Sequence, residues 1–318
     1  MTTYKGIKGF SIQTVDGDPS NNIPGQVWYN SSTRKIKAFK SGSGNFATGG
    51  NTNTRHSAGA GFGTQTAAVT AGGYSPPRTA DSEEYNGTAW TEGNNLNTAR
   101  SSMRGSGTLT AGLTGGGYKG SPANECEEYD GTSWAEQNNL NTARYNIGTG
   151  GIQTAGLCAA GYSPGTSGDA GHAEVEEYDG TSWTEVTNLP SARHGITLTG
   201  VQGAMLSHSE DTEVLLYDGT NWTEGTNTPE SISLGFNAGT QTAAFLWAND
   251  DSQTFDGSSW TSVNDMSTNR KEGQAATVGT TTSTLASGGE LPSGSPNLSL
   301  STEEWDDPFL ETVTFTSS

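Results

Sequence analysis

The octapeptide Glu127-Glu128-Tyr129-Asp130-Gly131-Thr132-Ser133-Trp134 returns at Glu176 to Trp183. Looser copies end at Trp90, Trp222 and Trp260, and a frayed one begins at Glu303. The five tryptophans Trp90, Trp134, Trp183, Trp222 and Trp260 stand 44, 49, 39 and 38 residues apart. A period of this length belongs to propeller blades or to helical arrays. The dipeptides between aromatic and tryptophan decide between the two: Asp130-Gly131, Asp179-Gly180, Asp218-Gly219, Asp256-Gly257 and Asn86-Gly87. Such pairs accept the positive φ of a tight hairpin turn. The repeat is therefore a β-blade.

The repeat overrides the two-domain expectation that 318 residues would otherwise raise. Apolar residues make up 30% and glycine 45 of 318, a composition that would suggest disorder without a pattern. With the pattern, the expected core is thin, aromatic and divided among blades. Charge is split unevenly: residues 1–55 carry seven Lys/Arg against two Asp, whereas 56–318 carry eight against 32 Asp/Glu. An acidic body of this kind repels nucleic acid and anionic membrane, so no nucleic-acid partner and no membrane insertion are expected. The basic segment either meets an acidic partner or protects hairpin edges. The N-terminus shows no apolar signal segment, and the expected place of synthesis is the cytoplasm. Cys126 and Cys158 lack metal-ligand spacing and read as small buried hydrophobes, with a disulfide between blades as the alternative.

In chain order, Ile7 to Val15 reads as a strand. Val27-Trp28-Tyr29 and Lys35 to Phe39 form a hairpin across Asn30 to Arg34. From Phe46, which stands where later units have tryptophan, six units follow. The units start at Arg55, Arg100, Arg144, Arg193, Ser231 and Arg270, and each has a small-residue first strand, a turn such as Gly63-Thr64-Gln65-Thr66-Ala67, a second strand that commonly ends in a glycine pair, a variable loop, and the Tyr and Trp strands. Four short strands per unit suit propeller blades. Beyond Glu303, Thr312 to Thr316 alternates like a strand and is expected to meet the N-terminal hairpin. The fold class is all-β: a propeller of six blades, or six with a hybrid seventh built from residues 26–50 and 311–316. The domains are a hairpin module over 1–45 and the propeller over 46–318.

The order Arg, glycine doublet, Tyr, Trp over residues 46–310 resembles the kelch repeat. Two features depart from it: tryptophan follows tyrosine by five residues (Tyr129 to Trp134), and two units lack the glycine pair. The segment Gly25 to Phe39, G-Q-V-W-Y-N-S-S-T-R-K-I-K-A-F, resembles a hairpin of virion structural proteins of tailed bacteriophages, marine ones especially. That resemblance implies a virion protein present in several copies, attached to other virion proteins through the N-terminal module.

Arg55, Arg100, Arg144, Arg193 and Arg270 align between units. A ring of arginines could clamp a carboxylate, as in sialidases; alternatively each braces a crossover between blades by bonding carbonyls or the Glu-Glu pair. Because the arginines and tryptophans are encoded by the repeat rather than unique, they are read as structural residues. Asp-Gly-Thr-Ser-Trp is similar to the Asp-box of sialidases but out of register with it. The four histidines have no ligand spacing, and no phosphate loop, nucleophile elbow or cofactor fingerprint occurs. No catalytic residue, metal or cofactor is expected. Binding is assigned to the unequal loops after the glycine pairs: Pro76 and Arg78, Lys119 and Asn124, Asp169 and His172, and Asn297. The expected function is a non-enzymatic tail fibre, appendage or surface decoration that binds protein or host glycan. Its alternatives are a propeller glycan hydrolase and a cellular kelch-type scaffold.

Overall fold

The computed structural model describes residues 12–19, 26–40, 44–164, 171–232, 234–249, 251–292, 297–307 and 311–314. They form seven four-stranded sheets and divide into two compact units, one of residues 45–306 and one of 1–44 with 307–318.

The larger unit is a ring of six blades. Within each, four strands pair antiparallel in chain order, as in Ala60–Thr64, Ala67–Tyr74, Arg78–Tyr85 and Trp90–Glu92. The first strands of successive blades adjoin one another around a closed cycle, the last against the first. Blade six borrows its outer strand: Asn45–Thr48 pairs with Thr302–Asp306, setting Phe46 opposite Trp305. Among the described residues the ring has six blades, the first of the two counts expected from sequence, and residues 45–48 complete the sixth rather than a hybrid seventh. Glu311–Thr314 does pair with Lys35–Lys40, but in the smaller unit, which also holds Gln13–Val15 parallel to Val27–Asn30. Asp307 and Glu311–Thr314 thus group with the N-terminal module rather than the propeller. There Trp28 is fully buried, and Asp18 accepts bonds from Trp28, Asn30 and Lys37. The expected strand residues 7–11 and 315–316 lie outside the described residues.

The repeated letters explain the local structure. In the Asp130 turn, Oδ1 accepts the N–H groups of Thr132 and Ser133 at 2.8 Å, and Gly131 takes φ 89°. Across the paired strands each tyrosine ring meets its tryptophan, at 4.9 Å for Tyr129–Trp134 and 4.8 Å for Tyr178–Trp183. These pairs also pack against the neighbouring blade: Phe62, Val69 and Ala71 of blade one share a cluster with Tyr129 and Trp134 of blade two. The glycine doublet turns the chain so that its second N–H reaches the crossover into the next blade. Gly117 donates to the Arg144 carbonyl at 2.9 Å, with φ 63° at Gly116 and 104° at Gly117.

The Glu-Glu pair divides its work. The first glutamate is buried and holds the crossover that enters its own blade: Glu127 accepts from Asn97 N and Nδ2 and from Arg100, and Glu176 from the corresponding Asn141 and Arg144. The second accepts the tyrosine hydroxyl of the next blade: Tyr178 to Glu128 at 2.9 Å, Tyr217 to Glu177 at 3.0 Å, Tyr129 to Glu84, and, across the closing seam, Tyr85 to Glu304. The turn glutamines add a third link. Gln153 donates to the Gly112 and Tyr129 carbonyls of the preceding blade, and Gln202 and Gln241 repeat the pattern.

Where one partner changes, its mate changes as well. Blade four replaces the glutamates by Leu215 and Leu216, and blade five answers with Phe255 in place of tyrosine. Arg193, having lost its buried carboxylate, turns to Glu213 at 2.5 Å in a partly exposed pair. Blade five has Gln253 and Ile232 where blades two, three and six have glutamate and arginine, and Ile232 packs on Leu246 and Ala248. Arg100, Arg144 and Arg270 are buried, each paired with the first glutamate of its blade: Glu127, Glu176 and Glu303. Arg55 is a correction to the aligned set. Counted from Phe46, the crossover into blade one has the same length as the others, so His56 occupies the repeat position, Arg55 sits one residue early, and the Arg55 guanidinium goes to the Leu298 carbonyl at 3.2 Å.

Removing Arg144 as Arg144→Ile strands the buried Glu176 and is expected to destabilise the ring by about 3–5 kcal/mol. Adding Glu176→Gln, which reproduces the Ile232 and Gln253 combination of blade five, should restore most of that loss in a denaturant-melt double-mutant cycle. Acid should act through the buried imidazoles. Burial pushes both His56 and His208 down to about 4. An unfolded histidine takes its proton near 6.5 and the folded ones only near 4, so their contribution is intact at neutral pH and lost as pH falls from about 6.5 to about 4. Thermal melts should drop over that window, and His56→Asn should flatten the drop.

Candidate functional site

The chain leaves one face of the ring in short turns. These are the first hairpins of each blade and the Asp-Gly turns, which abut each other as Gly131 does Thr110. The other face carries the loops between second and third strands and the crossovers between blades. The rim of the channel on this loop face is built by a repeated backbone device. Ala58, Ser102, Asn146, Gly195, Leu234 and Glu272, one per blade, all take left-handed φ between 51° and 66°. Neighbouring members bond blade to blade, as in Asn146 N to Ser102 O and Gly195 N to Asn146 O, both at 2.8 Å, and Glu272 N to Leu234 O at 3.0 Å. Five of the six are not glycine, which costs of order 1 kcal/mol each and is held in place by the ring. Arg104 enters the channel just beneath. Only water-sized space, about 20 Å³, remains beside it. Burial, and then the neighbouring Glu290, push the Glu272 carboxyl up.

Across the loop face runs a row of half-buried rings. The Arg78 guanidinium lies 4.4 Å over Tyr118. Tyr118 meets Tyr145 at 5.1 Å, Tyr145 meets Tyr162 at 5.3 Å and Tyr162 meets His194 at 6.3 Å, all edge to face. The row crosses from the loop of blade one to the entry of blade four. Antiparallel bridges from Ser101 to Tyr118 and from Tyr145 to Tyr162 fix the backbone beneath it. Burial and the two flanking tyrosines raise the Tyr145 phenol, which stays protonated and offers a hydroxyl donor.

The loop residues singled out from sequence fall into three groups. Arg78 and Lys119 join the row: Arg78 caps it, also donating to Ser101, and Lys119 follows Tyr118 and pairs with Glu125. Pro76 forms a cis bond with Pro77 in the same loop as Arg78. Asn124 and His172 instead tie loops down: Asn124 donates to the Leu140 carbonyl at 3.1 Å, and His172 sits between Ser163 at 2.7 Å and Glu174 at 2.9 Å. Asn297, on the far side of the ring, accepts from Leu291 N, and Asp169 lies outside the described residues. Tyr145 and His194 were missed. Each follows a repeat arginine at a position that holds Ser57, Ser101 or Lys271 in other blades, so departure from the repeat was the available signal. Among the described residues no group of His, Cys, Asp and Glu is placed to hold a metal, and no helix is long and apolar enough to cross a membrane. Cys126 and Cys158 are buried, unbridged thiols, and burial pushes Cys158 up to about 12.

No family model matches the chain, and no curated protein matches it. Among solved structures it is similar to one described as the structure of YjhT, at 11% identity and TM-score 0.66, covering 84% of this chain and 99% of that one. At that identity the likeness shows the fold alone, a β-propeller.

Proposed function

We propose that the chain is a non-enzymatic recognition propeller whose loop face binds the glycan or protein surface of a partner through the row from Arg78 to His194. The observation that carries this reading is the contrast between repeated and unrepeated residues. The repeated arginines are taken up in bonds to carbonyls and carboxylates of the blades, and the Glu-Glu carboxylates bond neighbouring crossovers and blades. The row adds the unrepeated Arg78, Tyr145 and His194 to Tyr118 and Tyr162, which share the position of Tyr74 after the glycine pair, and it lies half-exposed on loops rich in Ser, Gly and Asn. Tyrosine supplies rigid amphipathic area at low entropic cost, and such loops supply adaptable hydrogen bonds. Pyranose rings present the matching pattern of C–H faces and hydroxyl edges.

The setting we propose is the particle of a tailed bacteriophage, as a fibre tip, appendage or decoration. Support comes from the Gly25 to Phe39 resemblance and from the basic and acidic division of the chain. In this reading the smaller unit attaches to other virion proteins, in multiple copies, and the propeller projects. A hydrolase is the second reading, favoured by Glu272, a carboxyl raised by burial at the channel rim near Arg104.

Purified protein incubated with host surface polysaccharide separates the two. The recognition reading expects retention on the polymer, unchanged polymer length, and at least about a tenfold loss of binding in Tyr118→Ala/Tyr145→Ala. Shortening of the polymer that disappears in Glu272→Gln would overturn it in favour of the hydrolase.

A further inference from the structure

The turn face carries a site of different chemistry. Around the opposite mouth of the channel is a depression of about 240 Å³, lined by Gly150, Ile152, Leu198, Val201, Thr240 and Val278 among others. Ile152 is 46% exposed, Val201 54% and Val278 38%. They are three of the seven exposed large hydrophobics among the described residues, so apolar exposure is concentrated here. It also departs from the repeat. Thr64, Thr108 and Thr240 hold the position of Ile152 and Val201 in other blades. Residues without a role are free to stay threonine at a solvent-facing turn, and isoleucine and valine there cost solubility unless something covers them.

The charge around this mouth is of one sign. The Asp-Gly turns pack against the same hairpins, so Asp130, Asp179, Asp218 and Asp256 stand exposed on this face. The N–H groups they accept hold all four carboxyls below the usual range, Asp256 at about 2. The eight Lys/Arg between residues 56 and 318 all lie elsewhere: Arg78 and Lys119 in the loops, Arg100, Arg144, Arg193, Arg270 and Lys271 in the crossovers, and Arg104 where the first strand of blade two begins. The floor is made by first strands, each of which pairs with a neighbour on one edge only.

We propose that this mouth is a docking site for a basic polypeptide segment that inserts one large aliphatic or aromatic side chain. The cavity exceeds the roughly 150 Å³ that encloses a benzene molecule, so it takes a single leucine, phenylalanine or tryptophan side chain. The aspartates select lysine or arginine on either side of that anchor. The site is separate from the aromatic row and does not depend on the glycan reading.

The test uses the full chain and a fluorescein-labelled peptide with one tryptophan flanked by four lysines. One control peptide carries glutamates in place of the lysines, and another carries glycine in place of the tryptophan. Anisotropy titrations should show the lysine–tryptophan peptide binding at least about tenfold tighter than either control, and weakening with salt. Ile152→Ser/Val201→Ser should reduce that affinity about fivefold or more while leaving the melting temperature nearly unchanged, because both side chains are exposed. Tyr145→Ala, on the other face, should leave it unaltered. Equal binding of the tryptophan and glycine peptides would mean charge alone, and would overturn the proposal. So would tighter binding of the glutamate peptide, no binding of any peptide, or indifference to the double serine variant.

Discussion

The structure depends on a buried carboxylate that holds a connecting chain. A propeller blade is covalently joined to the next by a single crossover, and such a crossover would be free to swing if it ended only in a loop. Here Glu127 and Glu176 each accept the backbone and side-chain amides of an asparagine in the incoming crossover, together with a buried arginine. A second guanidinium nitrogen of Arg100 donates to the carbonyls of Gly116 and Glu125, while its Nε is buried without a hydrogen-bond partner. A buried ion pair held in this way specifies geometry more than it adds net stability. Its value is the register it gives: the crossover length, the entry angle of the first strand and the position of the next blade follow from it.

The neighbouring glutamate converts that register into a ring. Each tyrosine hydroxyl reaches back to the blade before it, and the same bond spans the seam, where Tyr85 meets Glu304 and Trp90 donates to Thr302 at 2.8 Å. Between blades four and five this bond is exchanged as a pair. Leu216 and Phe255 stand where four other seams have glutamate and tyrosine, and they share a cluster with Trp260, which also packs on Ile232. Exchange of both partners at once is what a packing role produces, because a lone phenylalanine opposite a glutamate would leave that carboxylate without its donor. Catalytic groups would instead stand out singly against the repeat, and the unrepeated residues of this chain gather on loops and at the two channel mouths.

Much of this was legible in the sequence because it recurs. The Asp-Gly turns, the tyrosine–tryptophan pairs and the glycine doublets each announce a conformation through residue type, and Phe46 was recognisable as a substitute tryptophan. Its blade was not. Pairing of Asn45–Thr48 with Thr302–Asp306 joins residues more than 250 positions apart, and nothing local distinguishes a strand that opens the array from one that closes it. His56 was hidden behind its neighbour: Arg55 matches the repeat arginines in residue type but sits one residue early, and the left-handed Ala58 two positions after His56, against Ser102, fixes the register. That left-handed ring had no signal of its own, since alanine, serine, asparagine, leucine and glutamate share no preference for positive φ as strong as glycine's. The aromatic row was half visible, through Tyr118, Tyr162 and Arg78. Its other half needed knowledge of which crossover residue faces which loop.

Closure is the point at which the account is most exposed to test. Calorimetric melting of the fragments 45–306 and 51–306 compares the ring with and without its closing strand. The account predicts one cooperative transition for 45–306, and for 51–306 a markedly lower or broadened one as Thr302–Asp306 loses its partner. Equal melting of the two fragments, or failure of 45–306 to fold, would contradict it.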